Sequence, residues 1–184
     1  AETLLIRGLG TAAFLLLHII LSIGPLARRD RRWLPVLYNR RHLGVTMATV
    51  AFLHGGFATL QFHAFGDTNP IVSLFTANTR YDSLAQFPFQ PLGALALVIL
   101  VLMAATSHDF WLRNLSAPVW KALHMLVYVA YALLVLHVAL GSLQTGGAVL
   151  TAAAVGIGVL WLGTLHVLAA RSEAIQDGDE PQGD

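Results

Sequence analysis

The sequence predicts an all-α, polytopic membrane bundle of about five transmembrane helices, from its composition, the length of its apolar runs and the placement of its charges. Of 184 residues, 56% are hydrophobic and only 11% charged, with a mean hydropathy of +0.66, too apolar for a water-soluble domain of this size. Five stretches, at about 8–27, 43–63, 91–107, 118–141 and 146–170, approach the roughly 20 residues that cross about 30 Å of hydrocarbon. Lys and Arg crowd alternate connections between them, the pattern that fixes orientation in a bilayer.

Each element has its own signal. Span 1 is long, runs into Pro25 and a basic cluster, and lacks a small-residue cleavage site, so it reads as a true span rather than a signal peptide. The connection after it holds Arg28, Arg29, Arg31, Arg32, Arg40 and Arg41 and leads into span 2. Residues 64–90, with Pro70, Pro88, several Phe and the sequence TRYDS around Arg80 and Asp82, are expected to form a partly helical cap across the bundle mouth. Span 3, LGALALVILVLMAAT, carries neither charge nor histidine and reads as a packing or lipid-facing helix. Arg113 and Lys121 flank the start of span 4, and Arg171 follows span 5. Basic residues on that side far outnumber Arg7 and Arg80 opposite, which predicts an external N-terminus, a cytoplasmic C-terminus and parallel spans 2 and 4. Residues 1–170 read as one membrane domain, and 171–184 as a disordered acidic tail or linker.

The composition also excludes chemistries. With no cysteine there is no disulfide, no thiolate-held iron–sulfur cluster, no Cys–zinc site and no thiol catalysis within this chain. A net charge of +1, with the basic residues at membrane ends, offers nothing to nucleic acid.

The main functional signal is histidine. Ionisable groups inside a bilayer are costly, and several of the eight histidines fall within predicted spans. His42 opens span 2 with His54 twelve residues on; His124 stands near the start of span 4 with His137 thirteen residues on. At about 1.5 Å per residue these separations are about 18 and 20 Å, so parallel spans present two levels of histidine. The same spacings rotate by about 120° and 220°, so the two histidines of one helix do not share a face. Two imidazoles facing each other in a membrane interior suit axial ligation of haem iron, with the apolar macrocycle lying between helices. Two levels would make a transmembrane electron wire.

RRHLGVTMATVAFLH (40–54) together with WKALHMLVYVAYALLVLH (120–137) resembles the ferric-reductase-like transmembrane superfamily, in particular the haem-binding membrane subunits of methionine sulfoxide reductase systems. The likeness covers roughly residues 5–170 and extends more distantly to NADPH oxidases and ferric reductases. It implies b-type haem, in keeping with the lack of a CxxCH motif. Carried over, it gives His54 and His137 as ligands of an outer haem and His124 as a ligand of an inner one. His42 is the expected inner partner, with Arg40 and Arg41 as fallbacks. Two haems per chain are expected, with one as the lesser outcome, and quinone is a further candidate ligand. No flavin or nicotinamide domain follows Arg171 within this sequence, so electrons are expected from a donor protein or a quinol.

The other polar residues have plainer readings. His18 is expected to make a packing contact, His63 to lie near an interface, His108 to end span 3, and His166 has no assigned role. Arg80 is the external candidate for a haem propionate. Trp33, Trp111 and Trp120 read as interfacial belt residues, and Gly44, Gly55 and Gly56 as places of close approach. The leading functional expectation is a b-type cytochrome of the bacterial inner membrane that passes electrons between a cytoplasmic or quinol donor and an external redox acceptor. It is an electron-transfer oxidoreductase subunit rather than a self-contained enzyme. The alternatives are a structural or assembly subunit of a larger respiratory or photosynthetic complex, and a histidine-relay transporter. No intramembrane Asp or Glu favours the transporter.

Overall fold

The structure, a computed structural model, describes residues 2–144 and 148–179 and is helical throughout, with no strand among the described residues. Helix α1, Glu2–Arg29, runs through Pro25 and ends on Arg28 and Arg29, whose charges complement the negative end of the helix dipole. The Asp30 carboxylate caps a 3-10 turn, Arg31–Trp33, by accepting from the Arg32 N–H at 2.9 Å. Helix α2, Leu34–His63, follows at once, with Pro35 in its first turn where the missing N–H costs nothing.

That early start differs from the apolar span read from residue 43. Hydropathy measures depth in the bilayer, whereas Arg40, Arg41 and His42 are compatible with helix and extend α2 by more than two turns. The three side chains are therefore fixed on a helix rather than carried on a loop.

Between the long helices lie short ones. Asn69 caps α3, Pro70–Thr76, by accepting from the Ile71 N–H at 3.0 Å. Helix α4, Gln90–Ala105, begins with Pro91 and at 16 residues is about 24 Å long, short of the hydrocarbon thickness. His108 caps α5, Asp109–Asn114, accepting from the Phe110 N–H at 3.2 Å. Helices α6, Ala117–Gln144, and α7, Ala148–Asp179, complete the chain. Helix α7 continues beyond residue 170, and the tail residues 180–184 lie outside the described residues.

Among the described residues four helices, α1, α2, α6 and α7, are long and apolar enough to cross a membrane. With α4 they close a ring in the order α1, α2, α4, α6, α7 and back to α1, each packed on the next. Its core takes Leu17, Ile20 and Leu21 from α1, Met47 and Ala48 from α2, Ala96 and Leu100 from α4, and Ala130 from α6. Small residues at Ala48, Ala96 and Ala130 let the backbones approach, as membrane packing requires. Outward, Ile19, Phe52, Val98, Leu136 and Leu160 are exposed, an apolar perimeter suited to lipid. The molecule is a helical membrane bundle.

Candidate functional site

His54 of α2 and His137 of α6 face each other across the ring. Their ring centroids lie 6.4 Å apart with the planes at 83°. The His54 Nδ1–H donates to the Ile6 carbonyl of α1 at 2.9 Å, and the His137 Nδ1–H donates to the Phe89 carbonyl at the start of α4, also at 2.9 Å. With the Nδ1 proton thus committed, Nε2 of each ring carries its lone pair outward, and neither Nε2 has a protein partner among the described residues.

Each ring also rests on a glycine four residues beyond its carbonyl. A Cβ on Gly10 would stand 2.8 Å from His54 Cε1, and one on Gly93 would stand 2.6 Å from His137 Cε1 and Nδ1. The pairs α1–α2 and α4–α6 therefore use one device twice, a carbonyl and a glycine on one helix positioning an imidazole of the next. The accepting residue precedes its histidine by 48 positions in both cases.

A second level lies toward the other end of α6. The His124 Nδ1–H donates to the Trp120 carbonyl one turn below at 3.0 Å, and its Nε2 is 3.4 Å from the Ser107 hydroxyl. The Trp120 indole stacks on the imidazole, with centroids 3.8 Å apart and planes at 24°. Arg40, half-buried on α2, is close enough to act electrostatically on both His124 and Tyr128. Arg40 shares a face of α2 with His54, fourteen residues and about 40° away.

The other site residues read from the sequence stand elsewhere. His42 is exposed on α2, turned from His54 by about 120°. Arg41 is paired with Asp109 of α5 at 2.6 Å, and this guanidinium, first by its hydrogen bond and then by its charge, holds the Asp109 carboxyl below the usual carboxylate range. Arg80 is exposed between α3 and α4, its guanidinium on the Gln86 side-chain oxygen. His63 bonds the Ser73 hydroxyl at 2.9 Å, tying α3 to α2.

Residues that the sequence reading passed over join two further histidines to the bundle. The Tyr131 hydroxyl donates to His18 Nε2 at 3.1 Å, since the His18 Nδ1–H is given to the Phe14 carbonyl. The Tyr128 hydroxyl stands in the same relation to His166 at 3.2 Å. Gly158 lies under the His18 ring, so His18 makes a defined polar contact among α1, α6 and α7. Beside it an apolar cleft of about 240 Å³ is lined by His18, Ser22, Trp33 and Trp161. Of the glycines expected at close approaches, Gly55 meets Leu97 of α4, whereas Gly44 and Gly56 face open space. The signal that points to Gly10 and Gly93 is glycine within an apolar helical run, where it weakens the helix unless something packs against it.

Two buried side-chain atoms have no hydrogen-bond partner among the described residues, Gln61 Oε1 and Trp120 Nε1. Gln61 follows His54 by seven residues on the same face of α2, and Trp120 touches His124. The unsatisfied polar atoms thus accompany the two histidine levels.

The family model "Ferric reductase like transmembrane component" matches residues 7–135. The chain belongs to the ferric-reductase-like transmembrane family. It is 34% identical over 132 residues, 71% of this chain and 55% of the relative, to the protein-methionine-sulfoxide reductase heme-binding subunit MsrQ of Herminiimonas arsenicoxydans. The correspondingly named protein of Caulobacter vibrioides is 31% identical over 72% of this chain and 58% of its own length. That of Brucella melitensis is 29% identical over 94% of this chain and 72% of its own length. The chain spans about half the length of most of these curated relatives. No solved structure matches. The matched region takes in most of α1, all of α2 and α4, and α6 as far as residue 135, and so includes His54 and His124, while His137 lies two residues beyond it.

Proposed function

We propose that the chain is a b-type cytochrome subunit that carries electrons across a membrane, with one haem between His54 and His137 and a second at His124. The facing pair His54 and His137 carries this reading. An imidazole nitrogen binds a metal at about 2.0–2.1 Å. Adding about 1.1 Å from nitrogen to ring centre, two imidazoles sharing one metal have centroids about 6.3 Å apart. The observed 6.4 Å matches, and neither Nε2 has a protein partner among the described residues. Among the described residues no cluster of three or more His, Asp, Glu or Cys is placed to hold a metal ion, so two axial ligands on a macrocycle suit the donor set better than a protein-only metal centre. With no cysteine for covalent attachment, the haem would be b-type.

Haem supplies reversible one-electron chemistry; the chain's residues decide where and in what surroundings. The Ile6 and Phe89 carbonyls hold the Nδ1 protons and so present Nε2 as the ligand atom. The apolar ring of helices excludes water, and Leu17, Met47 and Leu100 fill the core. At the inner level Arg40, rather than the exposed His42 or the Asp109-paired Arg41, is the half-buried cation whose charge reaches His124.

The charge asymmetry supports an inner-membrane orientation with the N-terminus outside and the C-terminus in the cytoplasm. The inner level then takes electrons from a cytoplasmic redox protein or a quinol. The acceptor is an external redox protein, by analogy with relatives named as methionine-sulfoxide reductase subunits.

The test is a dithionite-reduced minus oxidised spectrum with a pyridine haemochrome count. About two b haems per chain are expected. His54→Ala and His137→Ala should each remove the same one, leaving the other. No haem in a folded preparation overturns the reading.

A further inference from the structure

We propose that Trp120 is a positioning residue for the inner cofactor, its indole N–H binding a carboxylate of the group held at His124 while its ring face sets the plane of the His124 imidazole. This rests on the cytochrome reading above.

Trp120 Nε1 is buried without a partner, the one orphaned donor among the buried side chains described. An indole N–H can only donate, and a buried donor left unmade costs its full desolvation. The sequence expectation of a belt residue does not account for this, since a belt indole reaches headgroups or water. The missing acceptor comes from what the site binds.

Its chemistry follows from the neighbours. Arg40 is half-buried, acts on His124, and forms no ion pair among the described residues. A buried indole N–H on the ring of His124 and a half-buried cation whose charge reaches the same histidine ask for an anion, and a carboxylate accepts from the N–H and is drawn by the charge. The haem b macrocycle carries carboxylates at its edge, so the inner cofactor brings the acceptor that the protein lacks.

The second half of the role is geometric. Trp120 holds His124 twice, by its carbonyl on Nδ1 at 3.0 Å and by its indole stacked at 3.8 Å and 24°. The carbonyl contact is backbone and survives substitution. Trp120→Phe therefore removes the N–H and keeps an aromatic face, and Trp120→Ala removes both.

The test is a spectroelectrochemical titration with low-temperature EPR of the purified, haem-loaded chain, comparing wild type, Trp120→Phe, Trp120→Ala and His124→Ala. In Trp120→Phe the haem that His124→Ala removes should persist with a lower midpoint potential, because its carboxylate charge is less compensated. The outer haem should be unchanged and so reports correct folding. In Trp120→Ala the inner haem's g values should shift as well, and its occupancy should fall. Identical potentials in Trp120→Phe and wild type overturn the carboxylate role, and unchanged g values in Trp120→Ala overturn the stacking role. If His124→Ala removes no haem, the inner site itself is overturned, a result distinct from both.

Discussion

A histidine becomes a ligand through what its second nitrogen does. At His54 and His137 the Nδ1 proton goes to a carbonyl of a neighbouring helix, whereas His18, His124 and His166 each give it to a carbonyl one turn below in their own helix. The outer pair is therefore held by tertiary structure, and its aim depends on how closely α1 and α4 approach. Gly10 and Gly93 permit that approach. Gly93→Ala would put a methyl 2.6 Å from ring atoms of His137, and Gly10→Ala would put one 2.8 Å from His54. Overpacking of this kind costs about 1–3 kcal/mol and displaces whichever side yields. Each variant should lose most of the haem assigned to the outer pair, whereas Gly8→Ala, with open space around it, should retain it. Haem content by pyridine haemochrome separates the cases; full retention in Gly93→Ala would show that His137 is not held by this seat. From sequence the histidines stood out because bilayers penalise them, but their seats did not, since a glycine's neighbours are set by packing.

At the scale of the helix, α2 decides which groups reach the inner level. Placed at the mouth of a span beginning at residue 43, Arg40, Arg41 and His42 were alternatives for one place; on a continuous helix they point in three directions. Arg40 is half-buried with its guanidinium beside Gly24 of α1 and its charge reaching His124, Arg41 goes to Asp109 and His42 is exposed. His42, about 120° round the helix from His54, lies on an exposed face of α2. His42→Ala should accordingly keep the full haem complement, and Arg40→Ala should weaken the haem that His124→Ala removes. Loss of a haem in His42→Ala would restore His42 as a ligand. The Arg41–Asp109 pair fastens α5 to α2 and predicts a pH effect. The Asp109 carboxyl lies below its ordinary 3.8, so its contribution is present in full above that value and is lost as pH falls through the folded one. The pair is exposed, so the effect is small. Thermal midpoints of wild type and Asp109→Asn should differ slightly at neutral pH and converge in acid; a constant gap would assign the difference to something other than ionisation.

The whole molecule is a closed ring of five helices with polar groups concentrated inside it and at its two ends, and the sequence disclosed those features unequally. Long apolar runs and alternating basic connections announced α1, α2, α6 and α7, because a bilayer imposes length and charge rules on the chain directly. The run at 91–107 likewise announced α4, Gln90–Ala105, whereas the order in which the helices meet depends on side-chain fit, which one sequence does not expose. The bonds at the two ends agree on a single arrangement. Arg28–Glu173 and Arg41–Asp109 tie one end, while Gln61–Thr3 and Gln144–Phe87 tie the other. The first end carries the arginine excess, so it should be cytoplasmic and the segment with Arg80 external. Because the chain contains no cysteine, each introduced thiol is the only one and reports its side without a background to remove. Thr79→Cys and Asp82→Cys should be labelled by a membrane-impermeant maleimide on intact cells, and Asn114→Cys only after lysis. The reverse pattern would invert the molecule, put His124 on the external side, and exchange the proposed entry and exit of electrons while leaving both histidine levels in place.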